Sequence, residues 1–316
     1  MQRVLIVDPI AAEGEEVLSR AAEVLRAPDS APDTIRRLAR DAEGIITRSK
    51  LPDDVFQAGP RLRAVAIHGT GTDLVPLEDA TARGVMVSNI PGGNAQSVAE
   101  YCAMAMLMLA RNISAITASL RGSTWDAARA LGAHAHEIGA MTLGIVGVGA
   151  IGSRLARIAR NGFGMRVLGN QRRMERLPLE AEPSSLDALL PQSDFLVVTC
   201  PLTPQTHHLI NKERIAQLRP TAWLINVGRG PVVEEAALVA ALRARRIAGA
   251  MLDVYEHYRL EPGHPFFALD NVVLTPHLSG MTQESRARMS VAAAEEMLRM
   301  LAGEPPRNFV NPAVRA

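Results

Sequence analysis

Arg229 and His277 are the side chains whose types and settings best suit acid–base work on a small anion. Arg229 sits in the glycine-flanked turn Gly228-Arg-Gly230 after the apolar run Trp223–Asn226, and His277 follows Asn271-Val-Val-Leu-Thr-Pro276. Both positions read as the carboxyl end of a strand, where open α/β sheets bind ligands. A planar guanidinium there can form paired bonds to a carboxylate and polarise a neighbouring oxygen. An imidazole, with an unperturbed pKa of about 6.5, can give or take a proton near neutrality. The plainer alternatives are a surface arginine capping Glu234 or Glu235 and a histidine that is simply a satisfied polar group.

A second constellation binds rather than reacts. In Thr142-Leu-Gly-Ile-Val-Gly-Val-Gly-Ala-Ile-Gly152 an apolar strand runs into Gly147-x-Gly149-x-x-Gly152 and then into a helix-like stretch. The first glycine permits a tight turn, the second lets the backbone approach a pyrophosphate, and the third lets helix pack on strand. Ala150 and Ile151 form the turn beneath the phosphates. An acid that binds the adenosine ribose is expected about 20 residues further on. There the chain reads Asn170-Gln-Arg-Arg173, with no carboxylate. A carboxylate binds the two ribose hydroxyls and repels a 2′-phosphate, whereas Arg172 and Arg173 make a place for that phosphate. The alternative is that Gln171 binds an unphosphorylated ribose and both arginines are solvated.

The elements that must position these residues alternate in type. Strand-like runs at Val4–Val7, Gly44–Ile46, Leu62–Ile67 and Val85–Val87 flank a helical run over Glu13–Leu25. A long helical stretch, Ser97–Arg121, then precedes six strand-like runs at Thr142–Val146, Arg166–Leu168, Phe195–Thr199, Trp223–Asn226, Gly249–Leu252 and Val272–Leu274. Such alternation implies parallel strands with crossover helices. The expected fold is α/β, with two doubly wound parallel-sheet domains. Because the fingerprint falls in mid-chain, the larger, Rossmann-type domain (97–282) is expected as an insertion in a smaller flavodoxin-like one (1–96 with 283–316).

The bulk composition excludes several classes. With 316 residues the chain can bury two cores, and 21% charged residues balancing to +1 create no global field for nucleic acid or an anionic membrane. Cys102 and Cys200 stand alone in apolar settings, which argues against a disulfide framework or structural zinc and suits a reducing cytoplasm; no metal is expected. The N-terminal apolar run meets Asp8 at once and is a strand rather than a signal peptide. Tyr101–Ala110 is too short to span a bilayer.

Further segments resemble the D-isomer-specific 2-hydroxyacid dehydrogenase family, which includes 3-phosphoglycerate dehydrogenase and glyoxylate/hydroxypyruvate reductases. They are His68-Gly-Thr-Gly-Thr-Asp73, Asn89-Ile-Pro-Gly-Gly-Asn-Ala-Gln-Ser-Val-Ala-Glu100, Cys200-Pro-Leu-Thr-Pro-Gln-Thr206, Asn226-Val-Gly-Arg-Gly230, Leu252-Asp-Val254 and Thr275-Pro-His277. The resemblance implies hydride transfer between NAD(P)H and a small 2-keto or D-2-hydroxy acid, with Arg229 anchoring the substrate and His277 exchanging the C2 hydroxyl proton. It places Cys200, Pro201 and Thr206 on the adenine and ribose side, and Val227, Asp253 and Gly280 near the nicotinamide. It makes Gly69, Thr70 and Gly71 a carboxylate-binding loop, puts Asn94 near substrate, and gives Arg48 the choice of an anionic substrate tail or plain surface charge. The arginines after Asn170 resemble NADPH-using members, so NADP is favoured over NAD. Relatives imply a homodimer, with Val98–Leu109 as a contact surface.

One family feature is missing. The glutamate that orients the histidine should stand five residues after Asp253, where this chain has Tyr258. Glu256 and Glu261 flank the position and either could substitute, or both could be solvated loop acids. A nucleotide-sensing binding protein, like the corepressors of this fold, is the alternative function. A methyltransferase with a similar glycine turn would leave Arg229 and His277 without a role.

Overall fold

The computed structural model describes residues 1–314, which divide into two compact units. One combines residues 1–94 with the segment from Met281 onward, and the other is Ala95–Gly280.

The first unit holds β1 (Gln2–Ile6), β2 (Ala22–Arg26), β3 (Gly44–Thr47), β4 (Ala64–Ile67) and β5 (Met86–Ser88). All pair in parallel in the order β2-β1-β3-β4-β5. Every residue of β3 and β4 is buried, as expected of parallel strands covered on both faces. One cover is the helix Gln283–Leu301, whose Thr282 N-cap accepts from Ser285 N–H at 3.1 Å. It sets Met289, Ala293, Met297 and Met300 against Val4, Ile6 and Ala64.

The helical run expected over Glu13–Leu25 ends instead at Ser19, and Ala22–Arg26 becomes the edge strand β2 beside β1. Ala, Glu, Leu and Arg are good helix formers, so propensity gives no stop there. The free edge of β1 decides the outcome, with Gln2 opposite Ala22 and Ile6 opposite Arg26.

The second unit holds β6 (Thr142–Val146), β7 (Arg166–Asn170), β8 (Glu182–Pro183), β9 (Phe195–Val198), β10 (Trp223–Asn226), β11 (Gly249–Leu252) and β12 (Val272–Leu274). Their order is β12-β11-β10-β9-β6-β7-β8, again wholly parallel. The sheet therefore carries seven strands where the pattern gave six. The two residues of β8 are too few to show any periodicity. The long helical stretch is also two helices, Ala95–Ala110 and Ile113–Gly122, bent by 57°. Asn112 makes the break at φ 51°, a left-handed conformation that asparagine tolerates better than most residues. The first helix buries Val98, Cys102, Ala105 and Met106 in the unit's own core. Among the described residues no single helix is long and apolar enough to cross a membrane.

His68, at the end of β4, is 2% exposed, with Nε2 2.8 Å from the Ser290 hydroxyl. Burial, followed by the nearby Arg48 charge, pushes its pKa down to about 4. The unfolded chain thus takes up a proton near pH 6.5 that the folded imidazole refuses until about pH 4. Stability is complete above the upper value and falls as pH drops through this window, by up to about 3 kcal/mol. We predict that His68→Gln flattens that fall in urea unfolding measured from pH 7 to pH 4; an unaltered pH dependence would contradict a neutral buried imidazole.

Candidate active site

The glycine turn is built as its spacing demands. Gly147 adopts φ 97°, and a Cβ there would lie 2.5 Å from Cys200 N. A Cβ at Gly152 would come within 2.8 Å of Gly147 O, so its absence lets the helix Ala150–Arg157 close on β6. Gly149 differs, because a Cβ there would meet nothing within 4 Å among the described residues. Packing within the described residues therefore does not account for a glycine at that N-cap, and its exposed backbone leaves room for a group to approach. Ala150 is exposed and Ile151 half-buried on the first helical turn. These features fit a dinucleotide pyrophosphate.

At the end of β7, Asn170 Nδ2 donates to Ser184 O at 2.9 Å and Gln171 Nε2 donates to Arg173 O at 2.8 Å. The Arg172 and Arg173 side chains are exposed, and among the described residues neither makes an ion pair or side-chain hydrogen bond. Beside the glycine turn, Cys200 is buried and its thiol is pushed up to about 11 by desolvation, which makes it a packing group rather than a nucleophile. Thr206 closes the loop after it, its hydroxyl donating to Pro201 O at 2.6 Å and accepting from Thr203 N at 2.7 Å.

Arg229 is half-buried at the end of β10. Its turn is fixed by Asn226, whose side chain donates to Arg229 O at 3.1 Å and accepts from Gly228 N at 3.1 Å. The guanidinium Nη1 donates to Gly228 O at 2.9 Å. A Cβ at Gly228 would meet Cys200 O at 2.8 Å, and one at Gly230 would overlap Tyr255 O. Glycines therefore pack the arginine turn onto the Cys200 loop on one side and the Tyr255 loop on the other. Glu234 and Glu235 bond elsewhere: Glu234 Oε2 accepts from Lys212 N at 2.9 Å, and Glu235 Oε2 accepts from Glu256 N at 3.0 Å.

His277 is half-buried beyond β12 and adopts φ 55°, a left-handed conformation costly for a residue with a Cβ. Asp253, at 0% exposure, holds it there. The backbone carbonyl of Asp253 accepts from His277 N at 2.9 Å. Its carboxylate accepts from Leu278 N at 2.8 Å, Ser279 N at 2.9 Å and the Thr275 hydroxyl at 2.7 Å. Both carboxylate oxygens are thus engaged by the histidine turn; Gly280, three residues beyond His277, is half-buried, and Val227, after β10, is buried. The network continues from Thr275 Oγ1 to the Tyr101 hydroxyl at 2.6 Å, while Tyr255 donates to Thr275 O at 2.7 Å. Burial and then the Asp253 charge push the Tyr255 phenol up to about 12, so it stays a donor. Sequence reasoning missed Tyr101, Tyr255 and Thr275; the only signal was Thr275 inside Thr275-Pro-His277.

Neither acid that flanks Tyr258 in the sequence takes the place expected of the orienting glutamate in these contacts: Glu256 faces His208 and Glu261 faces solvent. Tyr258 is 66% exposed and meets the His277 ring edge-to-face, centroids 5.8 Å apart. Glu256 lies 3.4 Å from His208 Nε2, and Glu261 is exposed. A cavity of about 510 Å³ opens beside His277, lined by Tyr255, Tyr258, Phe267 and Leu274 among others.

In the first unit Asp8, beyond β1, accepts from Arg48 N at 2.7 Å, Ser49 N at 2.8 Å and Ser49 Oγ at 2.6 Å. That clasp sets the half-buried Arg48. The Gly69–Gly71 loop is tied down by Ile90 N donating to Gly69 O at 2.8 Å and Asn89 Nδ2 donating to Thr70 O at 2.7 Å. Asn94 follows the left-handed Gly92, φ 75°, and is half-buried.

Comparison with known proteins agrees with this geometry. The family profile described as D-isomer specific 2-hydroxyacid dehydrogenase, NAD binding domain, matches residues 103–279. A glyoxylate reductase of Aeropyrum pernix is 38% identical, over 98% of this chain and 96% of its own. An NADPH-dependent glyoxylate/hydroxypyruvate reductase of Sinorhizobium meliloti, solved with NADP and malonate, superposes with a TM-score of 0.85 at 30% identity, over 100% of this chain and 99% of its own. An NAD-dependent formate dehydrogenase of Staphylococcus aureus with NAD gives 0.85 at 26% identity, over 96% and 97%. A glycine turn shaped for a dinucleotide, parallel sheets in both units and relatives matching over nearly its whole length make this chain an NAD(P)-dependent oxidoreductase belonging to the D-isomer specific 2-hydroxyacid dehydrogenase family.

Proposed function

We propose that the chain reduces small 2-keto acids of the glyoxylate and hydroxypyruvate class to D-2-hydroxy acids and prefers NADPH to NADH. The names of the relatives support the substrate class. The cofactor preference is carried by one observation: exposed Arg172 and Arg173, unpaired among the described residues, stand after β7 where NAD-preferring members carry an acid. When bound, the reduced nicotinamide supplies hydride to C2. Arg229 binds the carboxylate and polarises the C2 oxygen, and His277 gives that oxygen its proton, leaving the hydroxy acid. In the reverse direction His277 takes the same proton back. Asp253 acts by holding the His277 turn. Arg48, Gly69, Thr70, Gly71 and Asn94 belong to the same proposal as substrate contacts, and Gln171, Pro201, Thr206, Val227 and Gly280 as cofactor contacts.

The reading includes a homodimer, supported by Met104 and Leu107 on the outer face of the helix Ala95–Ala110, 41% and 40% exposed. It also includes a cytoplasmic setting, which suits two buried free thiols. A nucleotide-sensing protein without turnover is not favoured beside relatives named as reductases.

The test is kcat/KM for NADPH and NADH with a panel of keto acids, repeated with Arg172→Ala and Arg173→Ala. A charge-assisted bond to a phosphate contributes about 1.5–3 kcal/mol, so each variant should lose roughly 10- to 100-fold with NADPH and little with NADH. Equal losses with both cofactors would refute the phosphate clamp. Cofactor binding with no turnover on any acid would refute the reductase.

A further inference from the structure

The reductase chemistry leaves one group of side chains without a task. His207, His208 and Glu256 each present a ligand atom, and these atoms lie within 4.8 Å of one another. We propose that they form a binding site for a divalent transition-metal ion of the zinc class.

The geometry separates this from an ordinary ion pair. His208 Nε2 and Glu256 Oε2 are 3.4 Å apart, and both atoms are buried without a hydrogen-bond partner among the described residues. A charge-assisted N–H···O bond closes to about 2.7–2.9 Å. Two ligands of one tetrahedral zinc, each about 2.0–2.1 Å from the ion, stand about 3.3–3.4 Å apart. The observed separation is the edge of that tetrahedron.

The ligands are also held from behind. His208 is one of four non-glycine residues with positive φ among the described residues, at 49°, and its N–H donates to Pro231 O at 2.8 Å. That conformation is costly, and here it aims the imidazole at Glu256. Glu256 N donates to Glu235 Oε2 at 3.0 Å, and Glu235 Oε1 lies 3.0 Å from His264 Nε2. Such outer-layer bonds orient metal ligands. His207 is exposed and stacks on His208 with centroids 3.9 Å apart. Two imidazoles on one tetrahedral ion stand about 5 Å apart between centroids, so His207 must swing out of this stack to complete the site, as its exposed position allows.

Two imidazoles and one carboxylate suit zinc, cobalt or nickel and leave a fourth position for water. Calcium and magnesium want all-oxygen shells and do not match. A bound ion would join the segment after Thr206 to the Tyr255–Tyr258 loop, against which Gly230 packs. The site lies behind the arginine turn and takes no part in hydride transfer.

The test is titration of chelator-stripped, untagged full-length protein with Co²⁺, followed by visible absorption, and with Zn²⁺ by calorimetry. One ion per chain is expected, with the absorption of a low-coordinate cobalt site. Because lost outer-layer bonds alone weaken metal binding by about 10- to 100-fold, loss of a ligand in His208→Ala or Glu256→Gln should weaken it more than about tenfold. His207→Ala, at an exposed position, repeats the test should either buried variant misfold by circular dichroism. Unchanged affinity in the folded variants, or no stoichiometric binding to the parent protein, would overturn the site.

Discussion

His277→Ala is expected to lower kcat for keto-acid reduction by about 10²–10⁴-fold, the usual size of a lost general acid. The Kd for NADPH should hardly move, because the glycine turn and the β7 terminus do not involve this side chain. The backbone of His277 is held at φ 55° by a turn in which Asp253 accepts from His277 N, Leu278 N and Ser279 N. Removing the ring leaves those bonds intact, so a fall in kcat with unchanged thermal stability would assign the loss to chemistry. Stopped-flow single turnovers at saturating keto acid give the relevant rate. Undiminished turnover would transfer the proton step to another group, with Tyr258, 5.8 Å away between ring centroids, one candidate.

Arg229→Ala is expected to reduce kcat/KM by about 10²–10³-fold, through loss of both carboxylate anchoring and stabilisation of charge on the reacting oxygen. Arg229→Lys should recover little of this, since an ammonium cannot reproduce the planar fork. Asn226 and the flanking glycines hold the turn through backbone atoms, so the substitution should spare the fold. Initial rates against keto-acid concentration at saturating NADPH divide the effect between KM and kcat. A loss confined to NADPH binding would remove Arg229 from the substrate.

The alternation of strands and helices made the fold class legible, because parallel sheets buried on both faces leave long apolar runs such as Phe195–Val198. β2 escaped because its residues also favour helix and only the edge of β1 makes them a strand. The break at Asn112 escaped because one left-handed residue leaves hydrophobic periodicity intact on either side. At the candidate site, glycines and charged residues were visible wherever backbone geometry is demanding. The supports were not: Tyr101 and Tyr255 both bond Thr275, which donates to Asp253, and the meeting of Tyr101 with Thr275 joins distant segments in a way that spacing cannot encode. Tyr258 was visible as a missing acid, while the pairing of Glu256 with His208 needed three dimensions.

The helix Gln283–Leu301 completes the core begun by Val4 and Ile6 almost a whole chain earlier. On a ribosome the first unit is consequently orphaned for most of synthesis, its apolar sheet face waiting for methionines not yet translated. The continuous segment Ala95–Gly280 has no such delay and can collapse as it emerges. Long-range closure of this kind is slow because loop entropy opposes it until the last contacts form. The substrate-contact loops proposed for the first unit would therefore mature last, after the nucleotide fold has set.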